Sequence, residues 1–402
     1  MKIDLKKEYL DSVKDILGEE YFNKYLNELE KSDTHGLTIN NAKLKKSSID
    51  LQYILDRFDA KLVYSNDDFH YIIYDKNVLM KKSIFPGKDA LYHAGLYYIQ
   101  EPSAAEVIYN FDVKEDDIVL DLCASPGGKS IEALYSLKKE AGGFLVSNEV
   151  KYERAKILSS NIERMGFDNV AITCEEVNSL TNIFYDFFDK IIVDAPCSGE
   201  GMFRKSEEAR NQWSRQLVES CANIQKKILT NAYLMLKNGG EMVYSTCTFN
   251  RVEDEEVIDY ILKEHNDLEI VKMQKIWPFN SLGEGQFYCI LKKGGENAMH
   301  YSINKKKFDG IRLIRYKAVL DEKTKYGSVP SHASTHIDDV VFDNVVELDD
   351  DEIEKYLKGE SIRKELKFSG FCKITYKNLG VGLAKYANGI LKNHYPKGLR
   401  NF

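Results

Sequence analysis

Apolar residues along this chain fall into short runs that alternate between two periods. From about residue 90 to 295, aliphatic and β-branched runs at 118–122, 144–148, 170–173, 189–194 and 241–246 read as buried strands. Between them, apolar positions recur at helical spacing at roughly 103–110, 128–139, 151–166, 207–237 and 253–264. Apolar strands separated by helices predict an α/β fold whose mostly parallel sheet is covered on both faces. A last run, Gln286-Phe-Tyr-Cys-Ile-Leu-Lys292, is expected as a late edge strand that could run antiparallel.

The flanks carry other patterns. Residues 1–30 read as an amphipathic helix with Leu10, Val13, Ile16, Leu17, Tyr21 and Leu26 near helical spacing. Short apolar stretches at 36–40, 61–64 and 70–74, with a helix at 47–55, suggest a small α+β module, and Phe85-Pro-Gly-Lys88 supplies a turn after it. Beyond residue 295, short strand signals and glycine turns predict a small β-rich domain. The expected domains are therefore 1–80, 81–295 and 296–402. No internal repeat or low-complexity segment is present.

Composition changes this picture little. The chain is 43% hydrophobic and 30% charged, with no apolar run long enough to cross a bilayer and no secretory h-region, so a cytoplasmic protein without a membrane partner is expected. Seven scattered cysteines, without ligand spacing, argue against a disulfide framework and against a metal site. The net charge of −7 argues against a nucleic-acid partner if taken alone. Charge is segregated, however. From Arg363 to Arg400 there are nine Lys/Arg against one acid, Glu365, and Lys305-Lys-Lys307, Arg312 and Arg315 add a second basic stretch. Such a face can hold a polyanion, though most charge runs are only solvated surface.

The candidate chemistry lies at strand ends. Asp194-Ala-Pro-Cys-Ser-Gly-Glu-Gly201 and Tyr244-Ser-Thr-Cys-Thr248 each place a cysteine at the carboxyl end of an apolar strand, where open α/β sheets bind ligands. Either cysteine alone would more often be core packing, as Cys221, Cys289 and Cys372 are expected to be. A third strand end, Asp121-Leu-Cys-Ala-Ser-Pro-Gly-Gly-Lys129, adds a tight turn into a helix, where glycines let a ligand approach the backbone. It is not the dinucleotide fingerprint, because the spacing differs and a proline intrudes. The second strand ends in Asn148-Glu149, an acid placed to accept both ribose hydroxyls of an adenosine-type cofactor. Without a phosphate cradle, S-adenosylmethionine fits better than NAD. Glu175 or Glu176, just past the third strand, could reach its adenine.

Together these segments, with Tyr97-Tyr-Ile-Gln-Glu-Pro-Ser103 and Arg204-Lys205, resemble the Sun-family (RsmF-like) RNA cytosine-5 methyltransferases and occur in that family's order. The tail Asn388–Arg400 is similar to the C-terminal RNA-binding region of the bacterial rRNA branch. The resemblance implies a Rossmann-like methyltransferase core, a ferredoxin-like or RRM-like N-terminal module and a PUA-like C-terminal module. It implies S-adenosylmethionine held by Cys123, Ala124, Ser125, Pro126, Gly127, Gly128, Lys129, Glu149, Arg154, Glu175, Glu176 and Asp194.

C5 of cytosine is a poor nucleophile, and a thiolate adding to C6 makes it enamine-like. Asp194 stands at the right strand end to assist at N3. Chemistry alone favours Cys197, by analogy with the Pro-Cys of DNA cytosine-5 methyltransferases. The resemblance reverses that choice: it implies that Cys247 is the nucleophile, that Cys197 assists product release and that Lys129 approaches the reaction centre or the cofactor's carboxylate. The expected substrate is small-subunit (16S) rRNA and the expected state a monomer. A tRNA substrate, or a non-catalytic ribosome-assembly protein on the same fold, are the alternatives, the latter disfavoured by the presence of both cysteines.

Overall fold

The computed structural model describes residues 4–296, 299, 301–324 and 327–400. Its contacts form two compact units, each assembled from separated stretches of chain. The first comprises residues up to His35, Gln100–Lys156 and Ala171–Ile314; the second comprises Gly36–Ile99, Ile157–Val170 and the chain from Arg315 onward.

The first unit is built on strands β1 (Ile118–Asp121), β2 (Phe144–Asn148), β3 (Val170–Thr173), β4 (Phe188–Asp194), β5 (Leu236–Thr246), β6 (Leu268–Ile276), β7 (Gln286–Lys293) and β8 (Leu313–Tyr316). They form one sheet in the order β6-β7-β5-β4-β1-β2-β3-β8. β2, β1, β4 and β5 run parallel, while β7 and β6 are antiparallel additions beside β5. Val119, Leu120, Leu145, Val146, Ile191, Ile192, Met242 and Val243 are all fully buried. Consecutive buried positions, rather than alternating ones, are what covering both faces demands. The order reverses between β1 and β4, so a crevice opens at the carboxyl ends of these two strands.

Helices Pro102–Tyr109, Gly128–Ser136, Tyr152–Met165 and Glu255–Glu264 agree with the spacing. The helix expected over 207–237 is instead two, Glu207–Gln212 and Arg215–Met235. Trp213 turns inward to be buried, and the Ser214 side chain accepts the Leu217 amide and starts the second helix. Helix α1 (Lys7–Leu29) is broken at Gly18, which adopts φ 68°. That break shifts the phase of the apolar stripe, so Tyr9, Val13, Tyr25 and Leu29 are buried while Tyr21 is exposed. Although first in the chain, α1 packs within this unit against Phe203, Trp213, Phe249 and Trp277.

The second unit holds a four-stranded sheet that includes His35–Asn40, Lys61–Ser65 and Phe69–Tyr74, and a five-stranded sheet built around Gly370–Tyr376 and Leu379–Ala387. One apolar core joins them, from Leu37, Ile39 and Ile72 to Val346, Ile374 and Val381. Residues from 37–97 and from 346–395 thus share a core. No described helix is long and apolar enough to cross a membrane.

Candidate active site

Four parallel strands end at one crevice. After β1, the chain turns through a cis Ser125–Pro126 bond and Gly127 at φ 121°, and a helix opens at Gly128. A side chain at Gly127 would be strained, and one at Gly128 would press on Gln100 at 3.1 Å. Asp121 lies at the base of the turn, 1% exposed. Ser130 Oγ donates to its Oδ2 at 2.7 Å, whereas the buried Oδ1 makes no hydrogen bond of normal geometry. Burial lifts its pKa to about 7, the Ser130 hydroxyl opposing and the Asp194 charge reinforcing the rise.

Glu149, at the tip of β2, is buried and held from two sides. Its Oε1 accepts the Lys151 amide at 2.9 Å and its Oε2 lies 3.4 Å from Arg154 Nε. Arg154 Nη2 also donates to the Ser125 carbonyl at 2.7 Å, tying the helix after β2 to the turn after β1. Beyond β3, Glu175 is half-buried, and its carboxylate accepts the Arg312 amide. Asn148 grips the Glu175 backbone, accepting its amide at 3.1 Å and donating to its carbonyl at 2.9 Å. Glu176 is exposed, at the start of the short helix Val177–Thr181. The buried, anchored carboxylate of Glu149 and the Gly127-Gly128 turn suit a ribose and a backbone-hugging ligand. Cys123 lies inside that turn, its thiol pushed upward by burial and then by the neighbouring carboxylates.

Asp194 and Ser245 are register partners on β4 and β5, so their side chains share a face. Ser245 Oγ donates to Asp194 Oδ1 at 2.7 Å, and Gln286 Nε2 approaches the same oxygen at 3.4 Å. Asp194 Oδ2 pairs with Lys129 Nζ at 2.9 Å. Burial pulls the Lys129 pKa down, but the Asp194 carboxylate outweighs it and holds the ammonium above its ordinary range. Beside this pair, Cys197 Sγ and Cys247 Sγ lie 3.3 Å apart, both partly accessible. The Cys197 thiol is held well above its usual range, first by its hydrogen bond with the Cys247 sulfur and then by burial. At that distance either thiol can donate a hydrogen bond to the other sulfur.

The contacts link the sequence-expected residues in small sets: Lys129 with Asp194, Cys197 with Cys247, and Glu149 with Arg154 and the turn at Ser125, while the Glu175 carboxylate is taken up by the Arg312 amide. Sequence reading missed the polar frame beneath them. Glu253 Oε2 accepts the Ser198 amide and Gln225 Nε2, both at 2.9 Å, and its Oε1 accepts Asn250 Nδ2 at 2.8 Å. Arg204 forms a two-point pair with Glu284 at 2.7 and 2.9 Å, and the Glu284 amide donates to Glu101 at 2.6 Å. Glu101 and Arg204 of this frame lie in segments that carry the resemblance, but no role is assigned to them there, and Gln225, Asn250, Glu253 and Glu284 are not singled out in the sequence.

Residues 5–102 match the N-terminal domain of 16S rRNA methyltransferase RsmF, 108–302 match the 16S rRNA methyltransferase RsmB/F model and 343–401 match the methyltransferase RsmF PUA domain. A ribosomal RNA small subunit methyltransferase F from Shewanella piezotolerans is 29% identical over 381 residues, 76% of this chain and 79% of that protein. One from Vibrio cholerae is 37% identical over 263 residues, 63% of this chain, and one from Aliivibrio fischeri 36% over 210 residues, 52% of this chain. The matches to these two span only 54% and 43% of the relative's own length. Among solved structures, NSun6 from Pyrococcus horikoshii, in a crystal with SFG, aligns with TM-score 0.59 at 20% identity, covering 74% of this chain and all of that one. A methyltransferase homolog from the same organism aligns with TM-score 0.59 at 22% identity, covering 72% and 96%. These likenesses show the fold. Three models of one family matching in chain order show more: the chain belongs to the RsmB/F family of methyltransferases.

Proposed function

With that membership as premise, we propose that the protein methylates C5 of a cytidine in small-subunit (16S) rRNA through a covalent adduct between Cys247 and C6. The observation that carries this reading is the pair of sulfurs 3.3 Å apart beside the Lys129–Asp194 pair, at the ends of two adjacent parallel strands. Cys247 Sγ adds to C6, forming the S–C6 bond and moving electron density toward C5 and N3. The Lys129–Asp194 pair faces N3, and the proton it can offer resides on the Lys129 ammonium. Ser245 and Gln286 hold Asp194 in that orientation. S-Adenosylmethionine is the cofactor and supplies an electrophilic methyl group for C5. The turn Cys123–Gly128 and Glu149 would hold it, with Arg154 bracing Glu149 and Glu175 nearest the adenine end. After methylation the C5 proton passes to solvent water, its C–H electron pair re-forms the C5–C6 double bond and expels the Cys247 sulfur as thiolate, and Cys197, within hydrogen-bond reach of that sulfur, donates its proton to it.

The basic C-terminal stretch and the match to a PUA domain support an RNA substrate. Bisulfite sequencing of total RNA from cells with and without the gene tests the reading. One protected cytidine in small-subunit rRNA, lost with the gene, is the expected result. A protected tRNA position instead would move the substrate, and no change at any cytosine would refute the reaction.

A further inference from the structure

Glu200 has one of the most fully satisfied side chains in the first unit. It is 2% exposed and accepts four hydrogen bonds. Its Oε2 takes the Phe249 and Asn250 amides at 2.8 and 3.1 Å, and its Oε1 takes Asn250 Nδ2 and Trp213 Nε1 at 2.9 and 3.0 Å. Glu200 follows Cys197 by three residues, and Phe249 and Asn250 follow Cys247 by two and three. One buried carboxylate therefore joins the two loops that carry the sulfurs, and the Gly201 amide adds a second tie to the Cys247 carbonyl at 2.8 Å.

Behind the junction stands an aromatic wall. Phe249 stacks on Trp277 with centroids 4.5 Å apart, and Tyr25 of α1 meets Phe249 edge-on at 6.1 Å. Tyr9 of the same helix meets Phe203 at 4.7 Å and Trp213 at 5.4 Å. α1 is pinned at both ends. Lys6 Nζ donates to the Asn211 and Trp213 carbonyls at 2.8 and 2.6 Å, and Arg204 Nη1 donates to the Glu28 carbonyl at 3.1 Å.

We infer that Glu200, backed by α1, is a positioning residue: it locks the loops after Cys197 and Cys247 together and so keeps the two sulfurs in contact. Four N–H donors converge on one carboxylate, and a neutral amide could accept only on one side while turning its own donors toward the other. The consequence for turnover rests on the reaction proposed above, since addition and elimination at one base require both sulfurs in place. A displacement of about 1 Å at such a site costs on the order of a hundredfold in rate. The geometric content needs no RNA at all.

Phenylarsine oxide tests it, because this arsenical condenses with two thiols only when both can reach one arsenic atom. The full-length protein should bind it tightly, and Cys247→Ala should not. Glu200→Gln that still melts cooperatively, with S-adenosylmethionine affinity within about twofold of wild type, should lose at least about tenfold in arsenical affinity. Its kcat on RNA should fall by a similar or larger factor with KM for RNA unchanged. Exposed Glu219→Gln should match wild type in both assays. A folded Glu200→Gln with wild-type arsenical affinity overturns the inference, whatever the RNA assay gives. Lost arsenical affinity alongside a wild-type protein that methylates no cytidine keeps the lock and sinks the proposed reaction instead. Should Glu200→Gln fail to fold, Trp213→Phe removes one donor and keeps a ring in place: weakened arsenical binding supports the inference, and wild-type binding overturns it.

Discussion

Replacing Glu149 by glutamine changes one charge and almost no volume, which isolates what the carboxylate does for the cofactor. Glu149 is 3% exposed, with Oε1 on the Lys151 amide at 2.9 Å and Oε2 at 3.4 Å from Arg154 Nε. A glutamine there keeps its oxygen on Lys151, so its NH2 group turns toward Arg154, donor against donor. No lone pair is then left on that side for a ribose hydroxyl. Arg154 stays anchored through the Ser125 carbonyl at 2.7 Å, so the turn itself should persist. The loss is a charge-assisted pair of hydrogen bonds in an enclosed site, about 1.5–3 kcal/mol. In affinity that is about 13- to 160-fold. Titration calorimetry with S-adenosylmethionine, on a variant whose melting is unchanged, reads it directly. Affinity within about twofold of wild type would show that the tip of β2 does not hold the ribose.

Two further predictions follow from the second unit. His332 is largely buried, and burial followed by the His93 charge lowers its pKa to about 4 from an ordinary 6.5; burial likewise takes His336 beside it well below its ordinary value, with His332, Lys43, Arg164 and Lys373 adding to the shift. Its folded-state value lies below the unfolded one, so this stability is complete above about pH 6.5 and is lost as pH falls toward 4. His332 alone should contribute a loss of about 1–2 kcal/mol between pH 7 and pH 5, which His332→Gln should flatten in urea titrations; an unaltered pH slope would exclude it. Lys385 and Lys392 are opposed across a hairpin, both exposed, with Lys385 Nζ 5.3 Å from the Phe371 ring centroid. Like charges directly opposed are unfavourable unless an anion sits between them. Replacing both by glutamine should weaken RNA binding and reduce the salt slope by about 1.4 while leaving cofactor affinity alone; an unchanged slope would place the RNA elsewhere.

The sequence made the sheet legible because both of its faces are covered. Ile118–Asp121, Phe144–Asn148 and Val170–Thr173 are each buried from end to end, and such runs stand out in any sequence. Asp194, Lys129, Cys197 and Cys247 could be proposed from the sequence because motif and strand end coincide. α1 was harder: Gly18 resets the helical phase, and a single periodicity drawn across it picks out Tyr21, which is exposed, and misses Tyr9 and Tyr25. The helix break at Trp213 was hidden because a buried indole and a capping serine look like any other residues inside a polar run. Least visible was the frame of Glu200, Asn250 and Glu253, since acids and amides acquire meaning only when distant loops meet. Nor does local pattern show that residues 37–97 share one core with residues 346–395, which groups Leu37 and Ile72 with segments some three hundred residues away.

The central claim is that Cys247 attacks and Cys197 releases, and a denaturing gel with labelled substrate RNA tests it most directly. Cys247→Ala should abolish methylation and form no covalent adduct, because no other thiolate is placed to add to C6. Cys197→Ala should still pass through attack and methyl transfer, then stall as a protein–RNA adduct that survives SDS, because the departing sulfur has lost its neighbour at 3.3 Å. An adduct with Cys247→Ala and none with Cys197→Ala would exchange the two roles, and no adduct with either, beside an active wild type, would contradict covalent catalysis altogether.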